Sequence, residues 1–308
     1  MKYTIIVSTV ILTALFTACG NNPSEPEQWP DGAYLYLAGS YSDTSLAWSP
    51  YGNVLLFSSY DGTSPSIYGF DGLVSPVLMT SSNQNESVGP TGCWSATEGM
   101  ILFTAFSGTT NSDIRTVPGN LGYATVILSD GLKHLHPTWS PNSDSLLFCT
   151  YSDNYWGLWK AEYDEDSITT DSFYTPSFDC LRPSYSPDGQ WILFQVNDGS
   201  QSDIWLIRPD GSESHAVITG NSDDIHPCWG PENDWFAFSS DRSGQWDIWI
   251  SDLDGNELVQ ITDDPGKDIY PAWNPGSGWF AFSSDREGGS GNYDIFSIDA
   301  PAYKSATH

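Results

Sequence analysis

Short runs of apolar, β-branched and aromatic residues recur along the chain, separated by clusters of Gly, Pro, Asn, Asp and Ser, and none carries a useful length of helical period. The clearest set is Asp224-Ile-His-Pro-Cys-Trp229, a turn at Gly230-Pro-Glu-Asn-Asp234, Trp235-Phe-Ala-Phe-Ser-Ser-Asp-Arg242 and Asp247-Ile-Trp249. It returns as Asp268-Ile-Tyr-Pro-Ala-Trp273, Trp279-Phe-Ala-Phe-Ser-Ser-Asp-Arg286 and Asp294-Ile-Phe296. Diverged copies precede it, anchored on Trp48, Trp94, Trp139 and Tyr185, so that with Trp229 and Trp273 the anchors stand 44 to 46 residues apart and define six repeats. Ser186-Pro-Asp-Gly189 punctuates one copy as a tight turn, with Pro fixing φ and Gly accepting a positive φ, and Asp210-Gly211 and Asp254-Gly255 mark later hairpins.

Within repeat five the pattern predicts strands over Pro227–Trp229, Trp235–Ser239, Asp247–Ser251 and Leu258–Thr262. Four short strands in about 45 residues is the size of a propeller blade. The fold predicted is therefore all-β, a six-bladed β-propeller of four-stranded antiparallel blades. Repeat six stops after its third strand, and the alternating stretch Ala33-Tyr-Leu-Tyr-Leu-Ala38 is left over at the other end. Residues 33–38 are expected to supply the missing outer strand and close the ring.

The expected organisation is a signal segment over 1–18, a tether over 19–32, the propeller over 33–300 and a tail over 301–308. Lys2 precedes an apolar run from Ile5 to Phe16, too short for a durable membrane span, and small residues follow. Leu15-Phe-Thr-Ala-Cys19 resembles the bacterial lipoprotein cleavage box, which implies lipidation at Cys19, anchoring through several acyl chains and, with Gly20 next, the outer membrane. The resemblance leaves open a periplasmic or a surface-facing domain. Gly20 to Asp31 is rich in Asn, Pro, Ser and Glu, as suits an extended tether.

Aromatic content of 14% supplies apolar area for a core, and a formal charge of −29 argues against nucleic acid as a partner. Removing residues 1–18 takes away one lysine and no acid, giving −29 − 1 = −30. Beyond Cys19 the cysteines are Cys93, Cys149, Cys180 and Cys228, with no C-x-x-C pair. Cys93 and Cys228 would lie across the ring from each other, a Cys149–Cys180 bridge between neighbouring repeats is conceivable, and free buried thiols are the reading preferred.

Pro-x-Trp-Ser-Pro-Asp-Gly, Ile-Ala-Phe-x-Ser-x-Arg and Asp-Ile-Trp resemble the WD40-like (PD40) repeat of the TolB-type propellers over about Ser42 to Asp299, best in repeats four, five and six. The resemblance is to the propeller part alone. It implies a non-catalytic protein- or peptide-binding module of the cell envelope, a monomer that receives its partner at one face of the ring and its central opening.

The repeated residues read as frame. The six anchor aromatics are expected to form a core between blades. Asp203, Asp247 and Asp294 are expected to accept turn backbone N–H groups, and Asp241-Arg242 and Asp285-Arg286 to pair across blades. Function is sought where the copies differ. Three residues before each anchor stand Ser45, Thr91, His136, Arg182, His226 and Tyr270; five before stand Asp43, Gly89, His134, Cys180, Asp224 and Asp268. Ring symmetry turns each set into a circle, and both circles are expected to line one channel mouth. His134, His136, Arg182, Asp224, His226, Asp268 and Tyr270 are the candidate partner-binding residues.

The alternative is a metal-dependent polysaccharide-active enzyme, since oligogalacturonate lyases resemble this propeller class and hold a metal through central histidines; His134, His136 and His226 would be the ligands here. No cofactor is otherwise expected. Asp252-Leu-Asp-Gly255 resembles a calcium loop only in part, with Gly in the wrong place and no closing Glu, and reads as a hairpin turn. The lack of a Gly-x-Ser-x-Gly motif argues against a serine hydrolase.

Overall fold

In the computed structural model the chain is described over residues 31–300, except 39–40, 61–64, 74, 81–85, 88–92, 96–98, 108–110, 120–122, 165–166 and 287–291. The expected signal segment, Cys19, most of the tether, the tail, and Gly89 and Thr91 lie outside the described residues. No helix among those described is long and apolar enough to cross a membrane.

Six antiparallel sheets form the blades of a propeller, and no helix occurs among the described residues. Blade 5 shows the plan: Asp224–Trp229 innermost, then Trp235–Ser240, Asp247–Asp252 and Leu258–Gln260 outermost. The inner strand starts three residues earlier than Pro227, where the sequence places it. Proline normally marks the start or edge of a strand because it cannot donate to the ladder; here a bulge takes it up inside the strand.

The last blade closes as expected. Tyr34–Leu37 pairs antiparallel with Asp294–Asp299, matching Tyr34 to Ser297, Leu35 to Phe296 and Leu37 to Ile295. Tyr36 meets Trp48 and Phe70 edge-on and Trp279 at a tilt, joining blades 1 and 6. Asp31, at the entry to this strand, caps Ala33 N–H and pairs with Arg286.

The apolar core is a set of inter-blade seams. Phe236 and Phe238 of blade 5 pack with Leu193, Ile204 and Leu206 of blade 4, and Phe280, Phe282 and Phe296 of blade 6 pack with Ala237, Ile248 and Ile250 of blade 5. Equivalent clusters join the other neighbours. The anchor indoles add polar links: Trp48 Nε1 donates to Ala272 O at 3.1 Å and Trp229 Nε1 to Ser184 O at 2.9 Å, each reaching the neighbouring blade.

The turns after the inner strands touch as well, through Asn274 Nδ2 to Gly52 O at 2.9 Å and Asp188 N to Asn233 Oδ1 at 2.9 Å. Gly52 has φ +67°, and a Cβ there would stand 2.3 Å from Asn274 Oδ1, so this closing turn demands glycine. Gly189 takes the positive φ, +70°, that the Ser-Pro-Asp-Gly turn requires.

Two details of the frame differ from expectation. Arg242 and Arg286 pair within their own blades, with Asp224 and Asp268, both at 2.7 Å. Asp247 is held by the side chains of Ser243, Gln245 and Gln260, and Asp203 by Gln201, where backbone N–H groups were expected. Side-chain donors reach these carboxylates because they sit within the third strand, whose backbone N–H groups are committed to the ladder. Asp252 caps Asn256 and Glu257 N–H, so Asp252–Gly255 is the hairpin turn expected.

Candidate functional site

Each described inner strand other than that of blade 2 carries the same irregularity. In blade 5 the register passes from Ile225↔Ser239 to Cys228↔Ala237, so that His226 and Pro227 together oppose Phe238. The same two-against-one bulge sets Ser45-Leu46 against Phe57, His136-Pro137 against Phe148, Arg182-Pro183 against Phe194 and Tyr270-Pro271 against Phe282. In blade 2 Glu86–Ser87 pairs with Thr104 and Ala105 of the second strand, and Cys93–Trp94 with Ile101 and Leu102.

The first bulge residue is left-handed every time. Ser45, His136, Arg182, His226 and Tyr270 have φ between +53° and +59°. Glycine usually fills such positions, a larger side chain there costs about 1–3 kcal/mol, and a following proline narrows its choices further. Side chains have been placed where backbone economy would favour none, all on the circle three residues before the anchors.

A cavity of about 390 Å³ occupies the centre of the ring, lined by all six blades. Arg182, His226 and Tyr270 stand at one end, the six anchors Trp48, Trp94, Trp139, Tyr185, Trp229 and Trp273 form the wall, and Pro50, Pro141, Pro187 and Pro275, from the turns after the inner strands, stand at the other. The anchors thus serve both the blade seams and the channel. Recurrence alone suggested only the first role, although one residue per blade on the innermost strand must also face the axis.

The circle five residues before the anchors does not line this cavity. His134, Cys180, Asp224 and Asp268 are buried at 0–1% exposure, and Asp43 at 3%. His134 is fixed inside blade 3, with Nδ1 3.0 Å from Thr150 Oγ1 and Nε2 2.8 Å from Asp130 Oδ1. Asp224 and Asp268 face their arginines. The bulge explains the separation, because the extra residue breaks the alternation that would have set both circles on one face. The cavity consequently extends from the left-handed circle toward the ends of the inner strands, away from the mouth expected at their starts.

On the left-handed circle the groups interact directly. His226 stacks on Tyr270 with centroids 3.9 Å apart and planes 14° apart, and the Arg182 guanidinium lies 5.4 Å from the Tyr270 ring centre. Arg182 N–H donates to His136 Nδ1 at 3.3 Å, so that nitrogen is unprotonated, and Cys149 Sγ lies 3.8 Å from it. Burial, then the Arg182 charge, hold His136 and His226 well below the ordinary histidine range, so both rings are neutral near pH 7. Burial also lowers the pKa of Arg182, which stays charged. Arg182 Nη1 and His226 Nδ1 are enclosed without a hydrogen-bond partner.

Histidines 134, 136 and 226 do not form a ligand set. His134 has both ring nitrogens engaged away from the channel, and among the described residues no group of three His, Cys, Asp or Glu could hold a metal ion. Cys149, Cys180 and Cys228 are free thiols. Burial pushes Cys149 and Cys228 up to about 12, and Cys180 up as well, so none is a nucleophile at neutral pH.

No protein-family model matches the chain. It is 26% identical over 196 residues to an uncharacterized protein of Agrobacterium fabrum, which covers 63% of this chain and 57% of that protein; the chain therefore spans less than two thirds of that relative. Among solved structures it superposes on a TolB-like protein of Agrobacterium tumefaciens with a TM-score of 0.64 and 20% identity, covering 85% of this chain and 92% of the other. An oligogalacturonate lyase in complex with manganese gives 0.60 and 12% identity over 90% and 96%. The chain has the fold of the TolB-like propellers, and at these identities the likeness concerns fold alone.

Proposed function

We propose that this propeller is a non-catalytic protein- or peptide-binding module of the bacterial cell envelope, held to the outer membrane as a monomer through a lipid on Cys19 and receiving its partner in the central channel. The observation that carries this reading is the left-handed circle. Five non-glycine residues sit in a strained backbone conformation at one position of five blades, and three of them present Arg182, His226 and Tyr270 to a cavity walled by aromatics and prolines. Strain maintained at equivalent places points to a site the fold sustains for use. The wall suits a peptide, because Trp and Tyr offer broad, rigid contact surface at small entropic cost.

A metal-dependent lyase would need a ligand set that the described histidines do not provide, and the thiols of the ring are unreactive. The resemblance to the manganese-bound lyase is therefore read as shared fold.

Capture from envelope extracts tests the reading. Wild-type protein should retain a protein partner, and Tyr270→Ala should reduce its recovery about tenfold or more, as loss of a central aromatic contact does. Tyr155→Ala, on an exposed hairpin of blade 3, should leave recovery unchanged. Equal recovery from all three, or stoichiometric manganese in the purified protein that His226→Ala loses, would contradict it.

A further inference from the structure

We propose that the Arg182 end of the central cavity captures the free C-terminal carboxylate of a protein partner, with Arg182 as the cation that meets it. This rests on the reading of the channel as a protein-binding site.

The charges make the case first. In a chain of formal charge −29, the residues lining the cavity include no Asp, Glu or Lys and one Arg. The chain has five arginines. Arg115 pairs with Asp113, Arg208 with Glu213, Arg242 with Asp224, and Arg286 with Asp268 and Asp31. Arg182 alone has no carboxylate partner among the described residues; its side-chain support is the Tyr270 hydroxyl. A half-buried guanidinium without an anion is poorly compensated, and its enclosed, unpaired Nη1 adds the penalty of an unmet donor. A carboxylate entering the cavity recovers both, and His226 Nδ1, also unpartnered, offers a second N–H in one of its neutral tautomers.

Shape selects the end of a chain. Arg182, His226 and Tyr270 are the last residues that line the cavity at this end, because the next circle of described residues is buried in the blades. A carboxylate on a chain terminus can reach Arg182 with one extended chain lying along the aromatic wall, whereas an internal Asp or Glu must accommodate chain on both sides of it within about 390 Å³. Along the way Trp, Tyr, Pro, Ala and Leu make most of the wall, with Thr138 and four serines among them, which matches largely apolar residues just before the terminus. The protein's overall negative charge repels anions at long range, so capture depends on local, desolvated pairing and apolar contact.

The test uses the purified protein and pools of short synthetic peptides with their last positions randomised, made both as free acids and as C-terminal amides, with retained peptides identified by mass spectrometry. Free acids should be retained about tenfold or more over the matching amides. Arg182→Gln should bring acid and amide within about twofold, while Arg182→Lys, which keeps a cation and guards against a folding artefact, should retain a clear preference for the acid, smaller than that of the wild type. Equal retention of acids and amides by the wild type would overturn the carboxylate proposal and leave the protein-binding reading standing. So would preferential retention of amidated peptides with internal Asp or Glu. Retention of no peptide at all would overturn both.

Discussion

Deleting residues 30–40 is expected to lower the melting temperature by more than about 10 °C, or to leave the protein insoluble. The segment completes the last blade, and without it Asp294–Asp299 becomes an open edge with unpaired backbone groups. The loss extends past one strand. Tyr36 is the aromatic that Trp48, Phe70 and Trp279 share across the seam of blades 1 and 6, and Ala33 is fully buried in the seam of blades 5 and 6. Propellers protect their edges by closing the ring, so opening one seam exposes apolar surface on two blades at once. Differential scanning calorimetry of the deleted and complete proteins measures the effect; equal melting temperatures would show that the ring does not depend on this strand.

Replacing Arg286 by Met should destabilise the protein by about 3–5 kcal/mol, the range seen when one partner of a buried ion pair is removed. Arg286 is wholly enclosed, and its guanidinium bonds Asp268 at 2.7 Å and Asp31 at 3.1 Å while Nε meets Ser284 Oγ at 3.0 Å. It ties the entering N-terminal segment to the inner strand of the last blade. The effect should depend on pH. Burial pushes Asp268 up to about 7, against the pull of Arg286. A carboxylate raised in the folded state favours folding most below its unfolded pKa near 4 and loses that contribution as pH rises through about 7. Without Arg286, ionising Asp268 costs more still, so the variant's deficit should be larger at about pH 8 than at about pH 5. Urea melts at the two pH values check this; a deficit independent of pH would show that Asp268 does not titrate there.

Much of the fold could be read from repetition. Six anchors at nearly constant spacing gave the blade count, and a sixth repeat lacking its outer strand pointed to the stretch beginning at Ala33 as the closure. The inner strands were harder. His226-Pro227 carries no glycine to announce a left-handed residue, and proline suggested a strand start, so the bulge was hidden and with it the face to which each circle turns. His134, Asp224 and Asp268 accordingly looked like mouth residues and are internal. A signal for the last two was present: Asp224 precedes Arg242 by 18 residues, and Asp268 precedes Arg286 by the same 18. A charge pair kept in register between two copies belongs to the frame. Arg182, His226 and Tyr270 line the cavity, as ring symmetry suggests for equivalent positions, whereas the double duty of the anchor aromatics needed the cavity itself to be seen.

The claim that partners enter the channel is tested most directly by photo-cross-linking in living cells, with a benzophenone amino acid placed at Tyr185 in the channel wall or at Tyr155 on the exposed hairpin of blade 3. The account predicts a discrete cross-linked protein from position 185 and none from position 155. Cross-links from 155 alone would contradict it and assign the partner to the outer surface of the blades.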